Sequence, residues 1–209
     1  MYTGIVQACL PISSLEKKEN LYRFSIEFPS DRLEKLEEGA SVAINGVCLT
    51  VTEIIGKAVF FEAIKETLGL SNLNDLREGV LVNMERSARA NAEIGGHLIS
   101  GHVVGMADIL SIEKATNNYR ITFTGDDTWM KFVFEKGYLS VNGCSLTVAE
   151  MDRKLKQFSI NLIPETLKRT NLKLLQRGDK VNIEVEAQTQ AIVETVERVL
   201  NERFPLEKN

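Results

Sequence analysis

Asn45-Gly46-Val47-Cys48-Leu49-Thr50-Val51-Thr52-Glu53 decides the reading of this chain, because it is written a second time as Asn142-Gly143-Cys144-Ser145-Leu146-Thr147-Val148-Ala149-Glu150. The offset is 97 residues, from 45 to 142. Working outward, Thr3-Gly4-Ile5-Val6 returns as Ser100-Gly101-His102-Val103 at the same offset. Glu66-Thr67-Leu68, with Asn72-Leu73, returns as Glu165-Thr166-Leu167 with Asn171-Leu172, now at an offset of 99. Val82-Asn83-Met84-Glu85 returns as Val181-Asn182-Ile183-Glu184, also at 99. Four blocks in one order mark two copies of one unit. Such a unit offers two similar pockets and suits a protein that handles two similar molecules.

Each copy reads as short strands. Residues 21–28 and 119–124 alternate apolar and polar side chains, the mark of a half-buried strand. Residues 41–51 read as strand, Asn-Gly turn and strand, since both turn positions tolerate positive φ, and Asn142-Gly143 marks the equivalent turn. Residues 59–63 and 158–162 follow as strands. Short helices are expected over 30–37 and 126–133, each opened by capping and acidic residues. So many short strands in so small a unit favour a closed barrel, which also removes exposed edges. Residues 188–203 lack Gly and Pro and place Ile192, Val193, Val196, Val199 and Leu200 on one stripe, the pattern of an amphipathic helix. That helix either packs on its own barrel or joins chains, as the spacing of Val193, Val196 and Leu200 resembles a coiled-coil seam.

The 209 residues suffice for two small domains, and 44% hydrophobic with 26% charged residues is ordinary for a globular protein. A net charge of −4, with no basic run longer than Lys168-Arg169, argues against nucleic acid. The three cysteines, Cys9, Cys48 and Cys144, lack disulfide-scaffold spacing and point to a reducing compartment. No secretory signal and no membrane span are expected, so the expected location is cytoplasmic.

No Gly-rich phosphate loop, Cys-x-x-Cys pair or His-Glu-x-x-His motif is present. His97 and His102, the only histidines, are five positions apart, an odd offset that would face them to opposite sides of a strand, so no shared metal is expected. The glycines of Gly95-Gly96-His97-Leu98-Ile99-Ser100-Gly101-His102 permit close backbone approach, either as a tight link between barrels or as a wall against a flat ligand. Cys48 with Thr50, and Ser145 with Thr147, sit at alternate positions and share a face, read here as an inward one. Thr suits any strand; recurrence beside the same Leu-Thr-Val favours a pocket. Glu66-Thr67 and Glu165-Thr166 read locally as helix caps, and Lys136 as a solvated lysine.

Met1-Tyr2-Thr3-Gly4-Ile5-Val6, the Asn45–Val51 hairpin, Gly95–Val103 and Ile163-Pro164-Glu165-Thr166-Leu167 together resemble the bacterial riboflavin synthase family, in order from Met1 through the C-terminal helix. The resemblance implies an all-β chain of two tandem six-stranded Greek-key barrels, over 1–97 and 98–187, with a C-terminal helix and tail over 188–209 that trimerises. It implies dismutation of two molecules of 6,7-dimethyl-8-ribityllumazine without cofactor or metal, at sites between the first barrel of one subunit and the second of a neighbour. An association with lumazine synthase is a further implication; no nucleic acid or membrane is.

Carried onto this chain, the family's first pocket falls on Gly4, Ile5 and Val6, on Cys48, Leu49 and Thr50, and on Glu62, Ala63, Ile64, Lys65, Glu66 and Thr67. The second falls on Gly101, His102 and Val103, on Lys136, on Ser145, Leu146 and Thr147, and on Leu162, Ile163, Pro164, Glu165, Thr166 and Leu167. Ser41, Cys48, His102 and Ser145 fall at positions the family associates with activity. Ser145 and Thr147 are read as catalytic through activating water or another nucleophile that adds at C7 of one substrate, and His102 through assisting proton movement. Three residues depart from the family pattern: Tyr2 for Phe, Asn142 for a common Asp, and Glu186 for a frequent Asp. A competing reading is a non-catalytic antenna protein that binds one lumazine or flavin; an electron-transferring flavin barrel would need a phosphate site and a nicotinamide domain that the sequence lacks.

Overall fold

The computed structural model describes residues 1–115 and 118–204. The first repeat supplies β1 (Ala8–Lys18), β2 (Leu21–Glu27), β3 (Ser41–Ile44), β4 (Val47–Ile55), β5 (Ala58–Ile64) and β6 (Leu81–Arg86). These close into an antiparallel barrel in the order β1-β2-β5-β4-β3-β6. The second supplies β7 (Gly105–Ala115), β8 (Asn118–Thr124), β9 (Tyr138–Val141), β10 (Cys144–Asp152), β11 (Gln157–Leu162) and β12 (Lys180–Val185), closed along the same circuit. Two six-stranded barrels are thus present, as the resemblance implies. The change of offset from 97 to 99 lies in the β10–β11 turn, where residues 153–156 replace the tighter 56–57 turn of the first copy.

A six-stranded barrel has room inside for side chains only. Phe24, Ile26, Val47, Leu49, Val51 and Phe61 fill the first core; Ile121, Phe123, Trp129, Cys144, Val148 and Phe158 fill the second. The apolar members of each hairpin strand therefore claim the interior. This corrects one expectation: Cys48 with Thr50, and Ser145 with Thr147, point to the outer face, not inward.

The short helices are α1 (Ser30–Leu33), α2 (Lys65–Leu70), α3 (Asp127–Met130) and α4 (Pro164–Arg169). The helix expected over 30–37 stops at Leu33. Lys35 turns to a φ of 57°, and the Arg86 guanidinium donates to the carbonyls of Arg32, Glu34 and Lys35, which a longer helix would use internally. The Asp126 side chain caps α3 by accepting from Thr128 N–H, as its sequence suggests. Neither Glu66-Thr67 nor Glu165-Thr166 is a cap: they lie inside α2 and α4, whose cap residues, Ile64 and Ile163, make no side-chain cap bond.

The barrels are related by a pseudo-twofold. Tyr2 and its own repeat counterpart, Ile99, exchange both backbone hydrogen bonds, at 2.7 and 3.0 Å. Six asparagines, three per repeat, bridge the interface in matched pairs. Asn83 Nδ2 donates to the Asn142 carbonyl and Asn182 Nδ2 to the Asn45 carbonyl, both at 2.9 Å. Asn171 N–H donates to Asn83 Oδ1 and Asn72 N–H to Asn182 Oδ1, both at 2.7 Å. Asn171 Nδ2 reaches Asn45 Oδ1 at 3.1 Å, and Asn72 Nδ2 reaches Asn142 Oδ1 at 3.0 Å. Asn142 thus works through its side-chain oxygen, which also accepts from Asn182 N–H, the part an Asp at this position would equally supply.

The last helix, α5 (Ala187–Arg203), is capped by Glu186, whose side chain accepts from Thr189 N–H and Oγ–H. That gives the departure at Glu186 a structural task. Of the apolar stripe only Val193 packs on the second barrel. Ile192, Val196 and Leu200 remain 65%, 51% and 51% exposed. The tail from 205 to 209 lies outside the described residues. Among the described residues no helix is long and apolar enough to cross a membrane.

Candidate active site

The N-terminal segment does not stay with its own barrel. The Gly4 carbonyl accepts from Ser145 N–H at 2.8 Å, on the hairpin of the second repeat. Symmetrically, the Gly101 carbonyl accepts from Cys48 N–H at 2.9 Å on the hairpin of the first. Val6 is buried in the second barrel's core, and Val103 packs on the first. The two groups assembled by resemblance are therefore exchanged: Gly4, Ile5 and Val6 lie with Ser145 and Thr147, while Gly101, His102 and Val103 lie with Cys48 and Thr50. The glycines make the crossing possible. A Cβ on Gly4 would come within 2.5 Å of Ser145 Cβ, and one on Gly101 within 2.5 Å of Cys48 Cβ. At Gly96 and Gly101 the glycine-rich stretch thus serves barrel-to-barrel contact, the structural alternative of the two posed by its sequence.

Each crossing is held by a buried carboxylate. Thr3 N–H and Oγ–H donate to Glu85 Oε1 at 2.7 and 2.8 Å, and Gly4 N–H donates to Oε2 at 3.0 Å. Ser100 and Gly101 repeat the pattern on Glu184, at 2.6, 2.7 and 2.9 Å. Burial pushes both carboxyls above their ordinary range, and these donors oppose the shift.

Each hairpin residue also has a ring-borne partner. The Tyr2 hydroxyl donates to Cys48 Sγ at 3.0 Å. That bond accommodates the hydroxyl by which Tyr2 departs from the family's Phe; burial first, and the Cys48 contact second, hold the phenol well above its ordinary range. In the second copy His97 Nδ1 lies 2.6 Å from Ser145 Oγ, and its ring stacks on Tyr138 with centroids 5.3 Å apart. His97 is only 9% exposed, and burial lowers its proton affinity against the opposing pull of Glu186.

The outer faces carry the remaining candidates. Thr50, Glu62 and Ile64 are exposed on β4 and β5, followed by Lys65, Glu66 and half-buried Thr67 on α2. Ser41 pairs with Thr50 across β3–β4. On the second barrel Thr147, Ile163, Pro164 and Glu165 are exposed, with Thr166 and Leu167 half-buried on α4. Glu165 is ion-paired with Arg169, which holds its carboxyl below the usual range. His102 is exposed, its N–H donating to Ser100 Oγ at 3.1 Å. Lys136 adopts a φ of 64°, its N–H bonded to the Val148 carbonyl and its Nζ 3.4 Å from the Ala149 carbonyl. Leu49, Ala63 and Leu162 turn into the barrel cores and Leu146 packs against one, so only their backbones can face a ligand.

Sequence reasoning passed over His97 and Tyr2 as partners of Ser145 and Cys48. It also missed Tyr138 and Asn161, the repeat counterparts of Ser41 and Glu62. Applying the repeat offset to every candidate would have found the last two. Together the faces offer exposed apolar surface (Ile5, Ile64, Leu98, Tyr138 and Ile163) beside hydroxyl, thiol and imidazole groups. That combination suits a flat, uncharged heterocycle with a polyol arm.

Comparison with known proteins agrees. The lumazine binding domain family matches twice, over residues 3–87 and 100–186. The riboflavin synthase of Escherichia coli (strain K12) is 48% identical over 204 residues, covering 97% of this chain and 95% of its own length. The crystal structure of LumP complexed with riboflavin superposes with a TM-score of 0.81 at 28% identity, covering 89% of this chain and 100% of the other. Its complex with 6,7-dimethyl-8-(1'-D-ribityl) lumazine gives 0.80 at 26%, covering 89% and 99%. Two matched repeats and near-complete coverage at that identity establish that the chain belongs to the riboflavin synthase family of lumazine-binding-domain proteins.

Proposed function

We propose that this protein dismutates 6,7-dimethyl-8-ribityllumazine: one molecule passes a four-carbon unit to a second, giving riboflavin and 5-amino-6-ribitylaminouracil. The observation that supports this reading is the pair of outer faces related by the pseudo-twofold, each built from a hairpin of one repeat and a crossing segment of the other. Matching faces suit two copies of one substrate.

The reaction draws on the acidity of the lumazine 7-methyl group, whose carbanion delocalises into the ring. The protein's share is to hold two rings in opposed orientation, exclude water and move protons. Ser145 and Thr147 help a nucleophile add at C7 of one substrate, and His102 assists proton movement. Cys48, Thr50 and Ser41 line the partner face, with Glu62, Ile64, Lys65, Glu66 and Thr67 beside them; Lys136, Ile163, Pro164, Glu165, Thr166 and Leu167 border the second.

Both faces are open in one chain, and α5 leaves its apolar stripe uncovered. A homotrimer accounts for both, with the first barrel of one subunit facing the second barrel of a neighbour. A lumazine synthase would supply the substrate by association. Three free cysteines fit a cytoplasmic setting.

The likeness to LumP favours one rival, an antenna protein that holds a chromophore without converting it. Incubating the purified protein with the lumazine separates the two. Riboflavin fluorescence rising with time supports the enzyme, and a stable lumazine complex with no riboflavin supports the antenna.

A further inference from the structure

The two faces are equivalent in backbone but not in proton chemistry. At the first, the partner of Cys48 is a phenol hydroxyl that donates. On the second, the partner of Ser145, the repeat counterpart of Cys48, is an imidazole nitrogen 2.6 Å away. We propose that His97 is a positioning residue for the reaction, accepting the Ser145 hydroxyl proton at Nδ1 and so aiming the serine oxygen's lone pairs at substrate. Hydroxyl alignment by a buried imidazole then belongs to the second face, apart from the proton movement assigned to His102 on the first. The inference rests on the dismutation read above.

Two features fix His97 in place. Its ring stacks on Tyr138, so it cannot rotate without losing that contact. Gly96, just before it, leaves no room for a side chain: a Cβ there would lie 2.3 Å from the Thr3 carbonyl and 2.7 Å from Ser145 Cβ. The groups that bear on the imidazole are Ser145, Tyr138 and, by charge, Glu186. A neutral ring with its proton on Nε2 presents Nδ1 as an acceptor. A serine that donates to it keeps its oxygen free to accept from, or align, a water or substrate atom.

Two variants test this. His97→Phe keeps an aromatic ring for Tyr138 but removes the acceptor. His97→Asn restores an acceptor near the Nδ1 position. With wild-type melting behaviour as the check on folding, His97→Phe is expected to lower kcat about 10²-fold with KM nearly unchanged. His97→Asn should recover most of that loss, and Ser145→Ala combined with His97→Phe should be no worse than the poorer single variant. Ring ¹⁵N shifts of His97 in the unmutated protein should report an unprotonated Nδ1 at neutral pH. Unchanged kcat in His97→Phe, a loss confined to KM, additive effects in the double variant, or a protonated Nδ1 would overturn the inference while leaving riboflavin formation intact. An unmutated protein that makes no riboflavin overturns the dismutation reading and this inference with it.

Discussion

Gly46 and Gly143 lie back to back across the pseudo-twofold. A Cβ built on Gly46 would come within 2.6 Å of Gly143 nitrogen, and one on Gly143 within 2.7 Å of Gly46 nitrogen. Both residues have positive φ, 79° and 78°. The contact pairs each residue with its own repeat counterpart, as isologous surfaces do between subunits.

Alanine at either glycine therefore meets two penalties, left-handed backbone strain and a clash with backbone that cannot swing aside. Gly46→Ala or Gly143→Ala should each cost about 2–4 kcal/mol. Gly56→Ala, at a positive φ in open space, should cost only the strain, about 1–2 kcal/mol. Chemical denaturation of the three variants checks the order.

Asn182 makes one of the densest sets of cross-barrel bonds. Its side chain donates to the Asn45 carbonyl and to Asn72 Oδ1, and accepts from Asn72 N–H. Asn182→Ala takes these bonds away at a buried interface, leaving Asn72 Oδ1 only its bond from Asn45 Nδ2, and should cost about 2–4 kcal/mol. A shift in denaturation midpoint of that size without a change of slope is the expected result.

The duplication and the strand–turn–strand hairpins were legible because they are local and repeated. The direction of the hairpin faces was legible too, but only through Val47, Leu49 and Val51: an apolar triplet at alternate positions has first claim on an interior this narrow. Reading Cys48 and Thr50 as inward gave the polar set the space the apolar set needs. The crossing of Thr3–Val6 had no local signal, since Thr-Gly suits either barrel and only the long-range Gly4–Ser145 bond decides. The asparagines were visible as repeated letters. Their pairing across the barrels is not, because Asn-Gly explains itself locally as a turn.

His97 titrates with a sign that can be measured. Burial holds its folded-state pKa below the ordinary 6.5. Just below 6.5 the unfolded chain therefore binds a proton that the native state refuses, and stability falls with pH until the folded value is passed. Denaturation midpoints between pH 7 and 5 should fall less steeply for His97→Asn than for the unmutated protein. Protonation of the native imidazole, which comes only at the lower folded value, removes the acceptor facing Ser145, so kcat should decline at the acid end of that range.

On α5, Ile192, Val196 and Leu200 are exposed, so charge there should not disturb the barrels. The combined variant Ile192→Glu, Val196→Glu, Leu200→Glu should keep strand-rich circular dichroism and run as a single chain by light scattering. Its riboflavin formation should be lost if, as proposed, the first barrel of one chain and the second barrel of a neighbour form each active site. Retention of both assembly and activity would assign the stripe another role.

The most direct measurement is ligand stoichiometry joined to product balance on the intact assembly. A non-reactive lumazine analogue should saturate at two molecules per chain, one on each barrel face. With the reactive lumazine, one riboflavin and one 5-amino-6-ribitylaminouracil should form for every two molecules consumed. Saturation at one molecule per chain, with the lumazine recovered unchanged, would contradict the account.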